Sequence, residues 1–518
     1  MMNNKKMFVV AALFTAASAL FAEINMPKIF GDNMVFQANK SAKVWGTSLP
    51  NAKVDVEFGW QKVSAKADEN GVWSTELVAM KSDKNPRELV ISENGNVAKK
   101  ISNVLVGEVW VLGGQSNMEW RLVPTTDAQA AVARANYPTI RYFSQNGRAM
   151  AQTPQTDSPE GSQWLVCSPK TAPSFSGVGF YFAEQLAKDL DVPVALIYTP
   201  LGATAMESWI PQKDFAKSEA LKSSWREFEN ETKNYDYQKA LQAHKKKVAD
   251  FDAKVAKAKA EKKPVPGCAW DFKIPPSKFS AKPDFRTPAY HYNAKVAPLG
   301  KFAVRGVLWY QGESDSSGWQ LESFEEQFKI LVSAWRENWG NKKLPFLYVQ
   351  LASYSTSADW PATRWAQFNC LKNIKNVGMA NIIDLGEKHE IHPRNKTDVG
   401  LRLENIALKD VYGKSDVCAY GPMFSKVKYS NAIALVKFDC SGKKLVGRGN
   451  PRGFEVLSNG EWKQPASADI KKNSVELTSP DGGSIEGVRY LWLNWAQPQV
   501  WLFNEDGLPA SSFISFNK

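Results

Sequence analysis

The sequence predicts an α/β protein in which a parallel sheet covered by helices is preceded and followed by β-rich units. Three observations lead there. At 518 residues the chain is too long for one ordinary core. Its middle alternates short apolar runs with helical periodicity, the pattern of parallel strands joined by crossovers. Both flanks instead carry short alternating runs broken by Gly, Asn and Pro.

Residues 1–22 read as a secretory signal: Lys5 and Lys6 open it, an apolar run follows, and Ala17, Ala19 and Ala22 offer cleavage sites. An exported protein, secreted or periplasmic, is expected. The run is shorter than the roughly 20 residues that span a bilayer, and no comparable run follows, so no membrane anchor is expected. Residues 23–104 read as a small β-sandwich, with strands near 34–37, 42–46, 53–58 and 71–77. Residues 105–412 form the α/β domain, with strands expected at 108–112, 194–198, 304–309, 346–350 and 380–383 and helices at 178–190, 323–339 and 398–410. A Lys/Ala/Glu-rich helix and a Pro-rich run interrupt it at about 213–284. Residues 413–518 return to alternation, with strands expected at 432–438, 474–477 and 490–495.

The hydrophobic fraction of 43% and charged fraction of 23% are globular values. Loss of Lys5 and Lys6 takes the formal charge from +12 to +10. Much of the remaining lysine lies at 239–263, which reads as a solvated helical face rather than a nucleic-acid surface. Nineteen Trp exceed the usual need of a core, a surplus that sugar-handling surfaces use. The five Cys are widely spaced without a CxxC pair, so no zinc site is expected. Export allows one or two disulfides, with Cys418 and Cys440 the first choice of pair.

The strongest local signal is Val109-Trp110-Val111-Leu112-Gly113-Gly114-Gln115-Ser116-Asn117-Met118, an apolar strand that ends in two glycines and then presents a serine. Such a serine sits where open α/β sheets bind ligands, but it needs a base. The chain has four histidines, His244, His291, His389 and His392. His244 falls in the Lys-rich helix and His291 among aromatics, whereas His389 and His392 follow a strand in a loop suited to carry a base. The spacing of these two also permits metal ligation, but Pro393 and the lack of any other His/Cys cluster set that aside. The carboxylates available to orient an imidazole are Glu390, Glu387 and Asp384, with Glu390 first. Oxyanion donors are expected at two further strand ends, from Gly202 and from the Gln311 amide. Gln311 and Glu313 also read as a buried pair holding their loop.

With Glu207-Ser208-Trp209, Trp309-Tyr310-Gln311-Gly312-Glu313-Ser314 and Ile391-His392-Pro393-Arg394-Asn395-Lys396, these motifs resemble the sialate O-acetylesterase family of SGNH-type hydrolases. The resemblance runs from about Met26 to Phe513. It implies a flavodoxin-like SGNH core, Ser116 as nucleophile, His392 as base, and oxyanion donors from the Ser116 N–H, Gly202 N–H and Gln311. It further implies an O-acetylated carbohydrate as substrate, with Gln115, Asn117, Trp209 and Glu313 at its site and no cofactor or metal. There are two departures. Glu390 stands where many relatives have Asp, leaving Glu387, Asp384 or a backbone carbonyl as other acceptors for His392. Pro200-Leu201-Gly202-Ala203-Thr204 replaces the usual Gly-Gly-Thr run after a Trp. Sialate and acetylated xylan are both open as substrates, and Trp120, Trp209 and Trp319 are candidates to stack on sugar rings. A noncatalytic carbohydrate-binding protein is the rival reading, which the intact serine and histidine disfavour; a lipase ranks last for want of an apolar lid.

Overall fold

The computed structural model describes residues 24–145, 148–269, 271–281, 285 and 287–517. The signal segment expected at 1–22 lies outside them. Seven strands make the central sheet: β1 (Asn96–Gly114), β2 (Tyr137–Ser144), β3 (Gln163–Cys167), β4 (Val194–Tyr198), β5 (Gly306–Tyr310), β6 (Phe346–Val349) and β7 (Val377–Ala380). Their order is β7-β6-β5-β1-β4-β2-β3. All neighbours are parallel except β3, an antiparallel edge strand on β2, so the sheet is mixed rather than wholly parallel. Without β2 and β3 the remaining five run in the order 2-1-3-4-5, counted along the chain.

Alternation along the strands divides the interior into two layers. Val109, Val111, Val307, Phe346 and Tyr348 pack on one face against Phe328 and Trp335 of helix Phe324–Asn338. Trp110, Leu112, Leu196, Leu308 and Leu347 pack on the other against Val178 and Phe182 of helix Gly177–Leu190 and Leu403 of helix Thr397–Ile406. The strands are buried on both faces because helices cover both. Every crossover therefore delivers the next loop to the same edge of the sheet, where β1, β4, β5 and β7 end.

The N-terminal β-strands join this sheet through β1 itself. Asp83–Glu93 pairs with β1 antiparallel and Val35–Gln37 pairs with it in parallel. β1 passes residue 104 without a break, so a shared strand rather than a linker connects the two regions. After residue 412 two four-stranded antiparallel sheets follow, with a two-stranded pair beside them.

Two strands fall elsewhere than expected. β7 ends at Ala380 rather than starting there, because the Asn381 side chain accepts the Ile383 N–H at 3.2 Å and turns the chain. The run at 490–495 is not a strand: Ile485–Tyr490 ends at Leu491, whose φ is +53°, and the carbonyls of Leu491 and Leu493 accept from the buried Arg364 guanidinium at 3.3 and 2.5 Å. The expected Cys418–Cys440 disulfide is not formed; all five thiols are unpaired. Cys418 Sγ accepts from the Asn504 amide at 3.2 Å, while Cys440 is buried in the core. Among the described residues no helix is long and apolar enough to cross a membrane.

The excursion after residue 212 is built from helices Glu219–Thr232 and Tyr237–Ala260. The first docks through Leu221 and Phe228, but the second, 24 residues long, buries none of its side chains. Its lysines are the solvated face that the composition suggested.

Candidate active site

The end of β1 is shaped by its contact with β5. A Cβ at Gly114, where φ is +119°, would lie 2.1 Å from the Tyr310 carbonyl oxygen, so the residue before the turn must be glycine. Gln115 is extended, and the chain then turns into the short helix Ser116–Glu119. This exposes the Ser116 hydroxyl at the carboxyl edge of the sheet.

The loop after β7 brings His392 to it. His392 Nε2 lies 2.8 Å from Ser116 Oγ, and Nδ1 lies 3.1 Å from Glu390 Oε1. That oxygen also accepts the His392 backbone N–H at 3.0 Å. A carboxylate at Nδ1 keeps the proton there and leaves Nε2 to accept from the serine. Trp120 stacks on the imidazole, with centroids 4.6 Å apart and planes at 16°. Burial, and then the Lys396 charge, hold the His392 pKa below its ordinary value, with Glu390 opposing. The other carboxylates considered for this role are engaged elsewhere: Asp384 makes a bidentate pair with Arg402 at 2.6 and 2.7 Å, and Glu387 binds Arg394. His389 makes no comparable approach to Ser116. His291 is buried against Trp209, its Nδ1 3.1 Å from the Ala149 carbonyl, and His244 is half-buried on the long helix, its Nε2 3.4 Å from the Lys273 carbonyl.

Behind the serine lies a buried polar network. Asn117 Nδ2 donates to Glu313 Oε1 at 2.5 Å and to the Ile391 carbonyl at 3.0 Å. Its Oδ1 accepts from Lys396 Nζ at 2.5 Å. Asn117 thus ties the serine's turn to the histidine's loop. Burial pushes the Lys396 ammonium down to about 7 and the Glu313 carboxyl up. The Gln115 side chain accepts the Ser314 N–H at 3.3 Å. Asn117, Gln115 and Glu313, expected at the substrate, form this network instead.

The oxyanion side differs from expectation. The Gly202 backbone lies against the serine, since a Cβ there would sit 3.4 Å from Ser116 Cβ. Its N–H donates to Glu119 Oε2 at 2.5 Å, so a carboxylate stands where an oxyanion would be held. The Gln311 amide is no free donor either: its Nε2 donates to Asp315 Oδ2 and to the Thr204 carbonyl, with the side chain buried. Asp315 is buried near Glu207, and burial followed by that neighbouring charge pushes its carboxyl up to about 8. The Ser116 N–H, at the start of its helix, meets no acceptor among the described residues.

An open cleft of about 660 Å³ reaches Ser116 and His392, walled by Glu119, Trp120, Arg121, Val123, Pro124, Pro173 and Ser174. None of the described residues of the excursion after 212 lines it. Trp120 does face it, but Trp209 cannot stack on a sugar. Its ring is fully buried, donates to Thr204 Oγ1 at 2.9 Å and packs on Trp309. Trp319 packs against the core. Glu119 was legible in principle as the residue one helical turn after Ser116; nothing in the sequence pointed to Lys396 as the partner of Asn117.

Residues 106–254 and 286–409, more than half of the chain, match the model of a carbohydrate esterase family described as sialic acid-specific acetylesterase. The chain belongs to that family. The match takes in the later part of β1, Ser116, Gly202, Gln311 and His392, and leaves out both β-rich flanks. Similarity to members of known name extends further. The sialate O-acetylesterase of Rattus norvegicus is 26% identical, over 89% of this chain and 88% of its own. That of Homo sapiens is 26% identical, over 94% and 91%. A crystal structure described as a novel carbohydrate acetylesterase from Xanthomonas citri superposes with a TM-score of 0.79 at 28% identity, covering 96% of this chain and all of that one. Membership in this carbohydrate esterase family makes the chain a carboxylic ester hydrolase.

Proposed function

We propose that the chain removes O-acetyl groups from carbohydrates through an acetyl-serine intermediate, with sialate-type sugars as the first substrate class. The observation that carries the mechanism is the 2.8 Å contact between Ser116 Oγ and His392 Nε2, with Glu390 on the far nitrogen. Ser116 Oγ attacks the acetyl carbonyl while His392 takes its proton. The carbonyl oxygen displaces the Glu119 carboxylate at Gly202, where the Gly202 and Ser116 N–H groups hold the developing charge. His392 then returns the proton to the departing sugar oxygen. A water, activated by the same imidazole, releases acetate.

The 2-1-3-4-5 strand order, with the serine after the first of those strands and the histidine after the last, supports an SGNH-type hydrolase domain. The basic, apolar start of the sequence supports export, secreted or periplasmic. The decisive experiment measures acetate released from O-acetylated sialic acid and from acetylated xylo-oligosaccharides by the signal-free protein and its Ser116→Ala variant. Release by the parent and none by the variant is expected. Equal release by both would remove Ser116 from the mechanism, and release by neither would favour a binding protein.

A further inference from the structure

We propose that Arg121 is a specificity-determining residue that pairs with the carboxylate of an acidic O-acetylated sugar held in the cleft beside Ser116. This rests on the esterase reading above and names the substrate feature that the site selects.

The main chain at Arg121 is fixed. It bridges Ser176, and on either side the Gly177 N–H donates to the Trp120 carbonyl at 2.8 Å and the Leu122 N–H to the Phe175 carbonyl at 2.9 Å. The base of the side chain therefore does not wander, while the guanidinium is exposed on the wall that also carries Ser116 and His392. Arg134, Arg305, Arg394, Arg402 and Arg489 are paired with carboxylates, and Arg336, Arg364 and Arg452 instead donate to backbone carbonyls. Among the described residues no carboxylate pairs with Arg121. The other charged wall residue, Glu119, turns Oε2 toward Gly202. The cleft thus presents one unneutralised planar cation a few residues from the nucleophile, and a guanidinium fork matches a carboxylate in two parallel hydrogen bonds. Val123, Pro124 and Pro173 flank it with apolar surface suited to the ring and methyl groups of an acylated sugar, whereas a neutral glycan would leave the cation without an anion.

The test compares kcat/KM for O-acetylated sialic acid with that for its methyl ester, which masks the carboxylate, in the parent, R121Q and R121K; p-nitrophenyl acetate reports on the parent's esterase chemistry. The parent is expected to prefer the free acid by about 10- to 100-fold, the value of one charge-assisted pair. R121Q should bring that ratio to about one, chiefly through a higher KM for the acid, and R121K should recover part of it. A parent that hydrolyses methyl ester and free acid equally well, or an R121Q that keeps the preference, would overturn the proposal. A parent inactive on p-nitrophenyl acetate as well would remove the esterase reading itself, and this inference with it.

Discussion

The two sides of Ser116 are built from opposite materials. Behind it, Asn117, Lys396, Glu313 and Gln115 form a buried network in which polar groups hold one another and the backbone, while Asp315 separately engages Gln311. In front, a cleft is lined by a stacked Trp120, three apolar side chains and Arg121, which has no carboxylate partner among the described residues. Buried polar groups are costly unless partnered, so the rear network admits few arrangements and fixes the nucleophile relative to its base. The front can vary without disturbing that geometry. Substitutions behind the serine should therefore act on turnover and stability, and those in front on substrate choice.

The largest effect should come from the junction of the two sides. His392→Ala is expected to lower kcat on an acetyl ester by about 10⁴-fold or more, as loss of a triad base does. The imidazole must be neutral to take the serine proton, and its pKa is held below the ordinary value. The parent's activity should accordingly persist below pH 6.5 and disappear as the pH falls through the lowered pKa; a pH-rate profile checks this. Next, Trp209→Ala should cost about 3–5 kcal/mol of stability in a urea titration, the loss for a fully buried aromatic. A change in KM without a change in stability would move Trp209 from the rear side to the front.

Glu390→Gln sharpens the comparison, because this carboxylate is 47% exposed while its histidine partner is 24% exposed. A drop of about 10²-fold in kcat is expected, less than the roughly 10⁴-fold seen for a buried triad acid, since water already screens the contact. Lys396→Met should cost about 1–3 kcal/mol by leaving Asn117 Oδ1 without its donor. It also removes a charge that lowers the His392 pKa, so the acidic limb of the pH-rate profile should move upward. At the small end, Lys254→Ala on the unburied 24-residue helix should change stability by no more than about 0.5 kcal/mol and leave turnover unaltered.

Much of this was legible from residue order. The strand at 194–198 and the helices near 177–190 and 324–338 are amphipathic or continuously apolar, so periodicity located them. Helix Trp360–Asn373 escaped because Thr363, Arg364 and Gln367 are buried with Trp360 and Phe368, leaving no single apolar stripe. The strand Tyr137–Ser144 escaped for a related reason, since the buried Arg141 interrupts its pattern.

At the site, residue order was enough for the chemistry that one chain segment can announce: a serine after a strand and two glycines, and a histidine in a loop after a later strand. These are local, because a turn needs its glycines and a base needs its ring whatever surrounds them. Folding in three dimensions set which carboxylate faces His392, that Glu119 occupies the Gly202 N–H, that Trp209 is core and that Arg121 has no carboxylate partner among the described residues. Each of those depends on distances between residues far apart along the chain or on orientations within one loop. Composition and spacing do not encode such distances; the packing of β1 against β4, β5 and the loop after β7 sets them.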